Sequence, residues 1–94
     1  MKIVFSKSAH SEVKEALYYY DDIAPKLSNR LLAEVKKATK HILDFPFAWS
    51  KIGNNQRKYV LNIFPYMIIF KIYENTIVIA SFAHLHQKPE SYID

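Results

Sequence analysis

His84 and His86 stand two residues apart at the end of an apolar run, "TIVIASFAHLHQKP", with Lys88 two positions further on. Alternate side chains of an extended strand project to one face. Regular alternation therefore puts Val78, Ala80, Phe82, His84 and His86 together. Imidazoles titrate near neutrality and can serve as a general base and general acid pair. A nearby Lys88 or Arg57 could stabilise a pentacovalent phosphate. Such a set suffices for metal-independent RNA cleavage, in which a 2′-hydroxyl attacks its own phosphate. The same residues also suit an ordinary polar strand end with solvated histidines. Two histidines with only Glu90 as the nearest carboxylate fall short of a metal-ligand set, so neither metal nor cofactor is expected.

Arg57 and Lys58 open a second segment, "QRKYVLNIFPYMIIF". Alternation groups Arg57 with Tyr59, Leu61 and Ile63 and turns Lys58 to the other face. A guanidinium there can clamp a phosphate or a partner carboxylate with two parallel bonds, or pair locally on the surface. Phe64-Pro65-Tyr66 reads as a packed strand-to-strand connection.

These residues need elements to hold them. "KIVF" predicts a first strand at 2–5. Ser6 or Ser8 can cap the helix that follows, and Ala9, Val13, Ala16, Leu17 and Tyr20 recur at helical spacing over 7–21. "DDIAP" breaks that helix. Pro25 suits the first turn of a second one, whose apolar stripe is Leu27, Leu31, Val35, Ala38 and Ile42. Its other face carries Arg30, Lys36, Lys37 and Lys40, which could bind a nucleic-acid backbone or simply be solvated. The run Tyr18-Tyr19-Tyr20 must leave at least one tyrosine off the stripe, open to a partner or packed at the helix edge. Pro46 ends the second helix. Phe45, Phe47 and Trp49 are expected to pin the loop to the core, and Gly53-Asn54-Asn55 makes a turn. Strands follow at about 57–63, 66–73 and 77–85, the last two joined tightly at Glu74-Asn75. Strand, helical hairpin, then three strands predicts a single α+β domain over 1–94 with a mainly antiparallel sheet.

Composition narrows the function classes. The 94 residues include one glycine and no cysteine. Glycine-rich phosphate loops, thiolate metal sites and cysteine nucleophiles are thereby disfavoured or excluded. The apolar run in "MKIVFSKSAH" is too short for a signal-peptide core, and no stretch approaches a membrane span. A cytoplasmic protein without membrane partners is expected. The formal charge of +4 favours nucleic acid, anionic lipid or an acidic protein as partner.

Taken in order, the opening strand, "FSKSAHSEVKEALYYYDD", "ILDFPFAW", "QRKYVLNIFPYMIIFKI" and "IVIASFAHLHQKP" resemble a RelE/ParE-superfamily toxin. This is the poison half of a bacterial type II toxin–antitoxin (plasmid-stabilisation) module. The likeness spans nearly the whole chain. Arg57, seven residues before Phe64-Pro65-Tyr66, and His84 followed by Pro89 are its most specific pieces. The resemblance implies an α+β fold with an N-terminal strand, an antiparallel helical hairpin and a three-stranded antiparallel meander completing one sheet. It also implies an acidic antitoxin partner meeting Tyr18, Tyr19, Arg30 and Lys37, and a target meeting Gln87, Tyr92 and Lys58. The target is DNA gyrase in ParE-like members, which are not nucleases. In RelE-like members it is the ribosome with its mRNA, and His84, His86, Lys88 and Arg57 are the candidate catalytic residues for that case. The Phe-Pro-Tyr hairpin and the few basic residues after residue 56 favour the ParE-like, non-enzymatic branch. A degenerate module that binds antitoxin without toxicity is the third alternative. Related chains commonly carry arginine where Gln87 stands, an aromatic pair where Tyr92 stands alone, and basic residues at Asn62 and Ile63.

Overall fold

The computed structural model describes residues 1–86. The elements are β1 (Lys2–Phe5), α1 (Lys7–Ile23), α2 (Pro25–Asp44), β2 (Lys51–Ile52), β3 (Gln56–Val60), β4 (Tyr66–Tyr73) and β5 (Thr76–His84). One five-stranded sheet has the order β1-β5-β4-β3-β2. β1 runs parallel to β5, and every other pair is antiparallel. The expected α+β architecture of helical hairpin and antiparallel meander is present, with the two-residue β2 as an addition.

Local chemistry explains the boundaries. Ser6 caps α1, its hydroxyl oxygen accepting the Ala9 amide at 3.0 Å. It is also tied to β5: its amide donates to the Ile79 carbonyl at 2.9 Å and its hydroxyl to the Ala80 carbonyl at 3.1 Å. α1 runs two residues beyond the expected end because a proline bars the α region only to the residue before it. That residue, Ala24, is extended (φ −165°, ψ 131°) and is the whole link between the helices. Phe45, also the residue before a proline, ends α2 outside the α region, at φ −137° and ψ 64°. Glu74 at φ 49° allows the two-residue turn between Tyr73 and Thr76.

Both helices pack on one face of the sheet. The buried residues there include Ala9, Val13, Ala16, Leu31, Val35, Ala38 and Ile42 of the helices, with Ile68, Phe70, Ile77, Ile79 and Phe82 of β4 and β5. Met67, Ile69 and Ala83 bury together on the other face. The alternation expected for β5 needs correction. Phe70 pairs with Ile79 and Ile69 with Ser81, so Ala80 is an extra residue at a β-bulge. Ile77, Ile79 and Phe82 share the helix-side core although their numbers differ in parity. Val78 is therefore on the face opposite Phe82.

Two glutamates join helix to sheet. Glu12 of α1 accepts the Phe82 amide at 2.9 Å. That amide lies beyond the reach of β1, whose pairing with β5 ends at Ile79. Glu34 of α2 accepts the Asn62 and Ile63 amides at 3.0 and 3.3 Å through one oxygen. With those amides engaged by α2, β3 stops at Val60, three residues short of its expected end.

Candidate functional site

β5 delivers His84 to the end of the sheet, where it pairs with Tyr66 across β4. The Tyr66 ring stacks on Phe82 at 4.7 Å and meets His84 edge-on at 5.2 Å. His84 and His86 are brought together, with ring centroids 5.1 Å apart. The His86 amide donates to His84 Nδ1 at 3.2 Å. An Nδ1 that accepts a bond puts the proton of neutral His84 on Nε2. Glu12, Glu15, Ala16, Tyr19, Tyr66, Phe82 and His84 line a groove of about 460 Å³ here. Burial, then the neighbouring Tyr20 and Tyr19 hydroxyls, pushes the Tyr66 phenol above its ordinary value. The groove is thus aromatic and acidic, and its described lining offers a phosphate no lysine or arginine.

Arg57 is elsewhere. It pairs with Phe70, four residues along β4 from the Tyr66 that faces His84. That offset is roughly 13 Å along the strand and about 10 Å across two strand spacings. Its guanidinium donates to the Phe47 and Trp49 carbonyls at 3.2 and 2.8 Å and lies over the Phe47 ring, 5.5 Å from its centroid. Arg57 pins the loop that the aromatics were expected to pin. Trp49 does pack against the core, whereas Phe45 and Phe47 remain about two-thirds exposed, at 64% and 65%. A backbone held by a charged donor does not need its aromatic side chains for anchorage.

Lys58 pairs with Ile69, on the sheet face away from the helices, and is half-buried. Tyr18 and Tyr19 are exposed on α1, and Arg30 and Lys37 on α2. Tyr20 is the tyrosine of the run that packs inward, edge-on to Phe64 at 5.0 Å. Gln87, Lys88 and Tyr92 lie outside the described residues. Sequence reasoning passed over Glu12, Glu34, His41 and Tyr59, all of which bridge helix and sheet or loop. The available signal was a single carboxylate, Glu34, between Arg30 and Lys37 at four- and three-residue steps on a basic helix face.

Among the described residues no group of three or more metal-ligating side chains occurs, and no helix is long and apolar enough to cross a membrane. A family model described as the ParE toxin of the type II toxin-antitoxin system, parDE, matches residues 3–89. The fold is similar to a solved chain titled "Chromosomal ParDE TA system from P. aeruginosa". The TM-score is 0.76 at 15% identity, covering 89% of this chain and 95% of that one. No curated protein matches the sequence.

Proposed function

This chain belongs to the ParE toxin family of type II toxin–antitoxin systems, and from that premise we propose that it inhibits growth by binding DNA gyrase until an acidic antitoxin neutralises it. The separation of Arg57 from the histidine pair supports this target, because it removes one of the two cations, Arg57 and Lys88, that the nuclease reading could use. A nuclease needs its acid, its base and a phosphate-stabilising cation within contact of one phosphate. Here the arginine is committed to a loop on another part of the sheet.

A surface suited to the antitoxin lies on the helical hairpin. Phe5, Val13, Leu17, Leu32 and Val35 line a mostly apolar groove of about 290 Å³, flanked by Lys14 and Lys36. Tyr18, Tyr19 and Ile23 are exposed further along α1. An acidic amphipathic segment would bury apolar side chains in the groove and set carboxylates against the lysines, while Arg30 and Lys37 extend the positive field along α2. Added salt should weaken such a complex only in part, because the apolar contacts are unscreened.

Induced expression of the chain, alone and together with a candidate acidic antitoxin, is the test. Growth arrest with inhibited gyrase supercoiling and intact mRNA is expected, with rescue on co-expression. Cleaved mRNA in purified ribosomes would replace the gyrase reading with the nuclease one. Unimpaired growth together with a stable complex would leave only an antitoxin-binding module.

A further inference from the structure

A pocket of about 430 Å³ opens where the loop after α2 meets the turn between β2 and β3. Its lining includes Phe47, Lys51, Asn54, Arg57, Lys71 and Tyr73, with no carboxylate among the described residues. Glu74 follows Tyr73 but stays out of the lining, and Asp44 is paired with Lys40 at 3.2 Å. Three cations therefore share one concave surface. The histidine groove, at the other end of β4, has the opposite character.

The sheet register forces two of those charges together. Lys51 stands directly opposite Arg57 in the edge pair of β2 and β3. The Lys58 amide donates to the Ser50 carbonyl, so the neighbouring Lys51–Arg57 pair is of the non-hydrogen-bonded kind. Its Cα atoms approach to about 4.5 Å, and like charges so placed destabilise a strand pair. No described carboxylate forms an ion pair with either. Arg57 commits Nη1 to the Phe47 and Trp49 carbonyls, which fixes the guanidinium and leaves Nη2 and Nε without a described partner. The Phe47 ring lies against the guanidinium on one face. With that ring 65% exposed, its other face is open, and Tyr73, 54% exposed, adds a second aromatic surface.

We propose that this pocket binds single-stranded nucleic acid, with one phosphate between Lys51 and Arg57 and the adjoining base stacked on the open face of Phe47. A phosphate relieves the repulsion of the two cations and accepts from the donors that Arg57 keeps. Planar bases stack on exposed aromatic rings whatever their sequence, while cations beside the rings track the backbone. A duplex hides its base faces in its own stack, so the rings favour a single strand. Carboxylates of an acidic peptide would meet the cations but give the rings no flat partner. Phosphate and base face are common to DNA and RNA, and the site takes either. His84 and His86 lie at the far end of the sheet, so the strand is held and not cut. This goes beyond the gyrase reading and stands independently of it.

The test is fluorescence anisotropy of the purified chain with a labelled oligothymidylate of about ten nucleotides. Binding with a Kd of roughly 1–100 µM at low salt is expected, and an oligouridylate of equal length competes. Phe47→Leu, which keeps an apolar side chain without a ring face, raises Kd by about five- to a hundredfold. Lys51→Gln flattens the plot of log Kd against log salt concentration by about 0.7. Lys26→Gln, which removes an exposed charge on α2, leaves Kd within about twofold. Thermal melts check that each variant is folded. No binding by the unmodified chain overturns the proposal, as does a Phe47→Leu variant that binds as tightly. Equal weakening by Lys26→Gln and Lys51→Gln makes the attraction a diffuse effect of net charge, which also overturns it. So does displacement of the strand by polyglutamate as readily as by unlabelled oligothymidylate, since the pocket would then take an acidic peptide. Growth arrest on induction is read separately, so each reading fails on its own result.

Discussion

At the residue scale, a charge near a loop can be mistaken for a charge near a substrate. Arg57 was legible in the sequence as a guanidinium on a strand start, and its alternatives were a phosphate clamp or a local partner. Its partners proved to be two carbonyls of a loop eight and ten residues away, which no periodicity encodes. Arg57→Ala should cost about 2–3 kcal/mol, since hydrogen bonds to charged groups contribute about 1.5–3 kcal/mol. Urea unfolding would measure it, and a loss near zero would contradict the pinning role. Tyr59 makes a different prediction. Burial first, and the Glu34 charge second, raise its phenol above the ordinary value. The folded state then holds the proton more tightly than the unfolded state. Its contribution is complete below the ordinary tyrosine value and is lost as pH rises through the folded one. Tyr59→Phe should lower stability at neutral pH by removing the His41 bond, yet flatten the decline in alkali. Denaturation midpoints across an alkaline series would show an unchanged slope if this is wrong.

At the scale of elements, the sequence spoke clearly wherever one period or one proline governed. The apolar stripes of α1 and α2, the breaks at Pro25 and Pro46, and the turn at Glu74-Asn75 were all readable. The bulge at Ala80 was not, because an extra residue in one strand is defined by its partner strand. Nor was the early end of β3, which depends on Glu34 reaching from α2. Glu12 acts in the same way on Phe82, closing a strand edge that β1 leaves open. Glu12→Ala should cost about 1–3 kcal/mol, the penalty for a stranded amide, whereas Glu12→Gln keeps an acceptor oxygen and should cost less. Thermal melts of the two variants would decide it. Equal losses would mean that the carboxylate charge matters and not the acceptor. The histidine pair did come together, although β5 ends at His84 and His86 follows in a turn, so strand alternation is not what joins them. The separation of Arg57 from it required the sheet register.

At the scale of the whole molecule, the proposed target reading can be tested at Gln87, which lies outside the described residues. By the resemblance set out from the sequence, Gln87 takes a slot where arginine is expected. If that position meets the target, as proposed, a guanidinium there adds one charge-assisted contact, worth about 1.5–3 kcal/mol or roughly ten- to a hundredfold in binding. Gln87→Arg should deepen growth inhibition at matched protein levels in an induction series. A higher melting temperature without added inhibition would make the position structural.

The parallel pairing of β1 with β5 joins Ile3 to Ile77, and it imposes a timetable on synthesis. The first strand finds its neighbour only after nearly all the described chain has left the ribosome. The Ser6 contacts to Ile79 and Ala80 wait for the same moment. Such long-range closure is slow compared with local helix formation. A nascent chain halted with Tyr73 outside the exit tunnel should be cut rapidly by protease, and protection should arrive once His84 has emerged. Until β5 has emerged, the nascent chain would carry its helices without the closed sheet. The groove proposed for the antitoxin includes Phe5, which pairs with Ile79, so that surface would be complete only after β1 closes against β5.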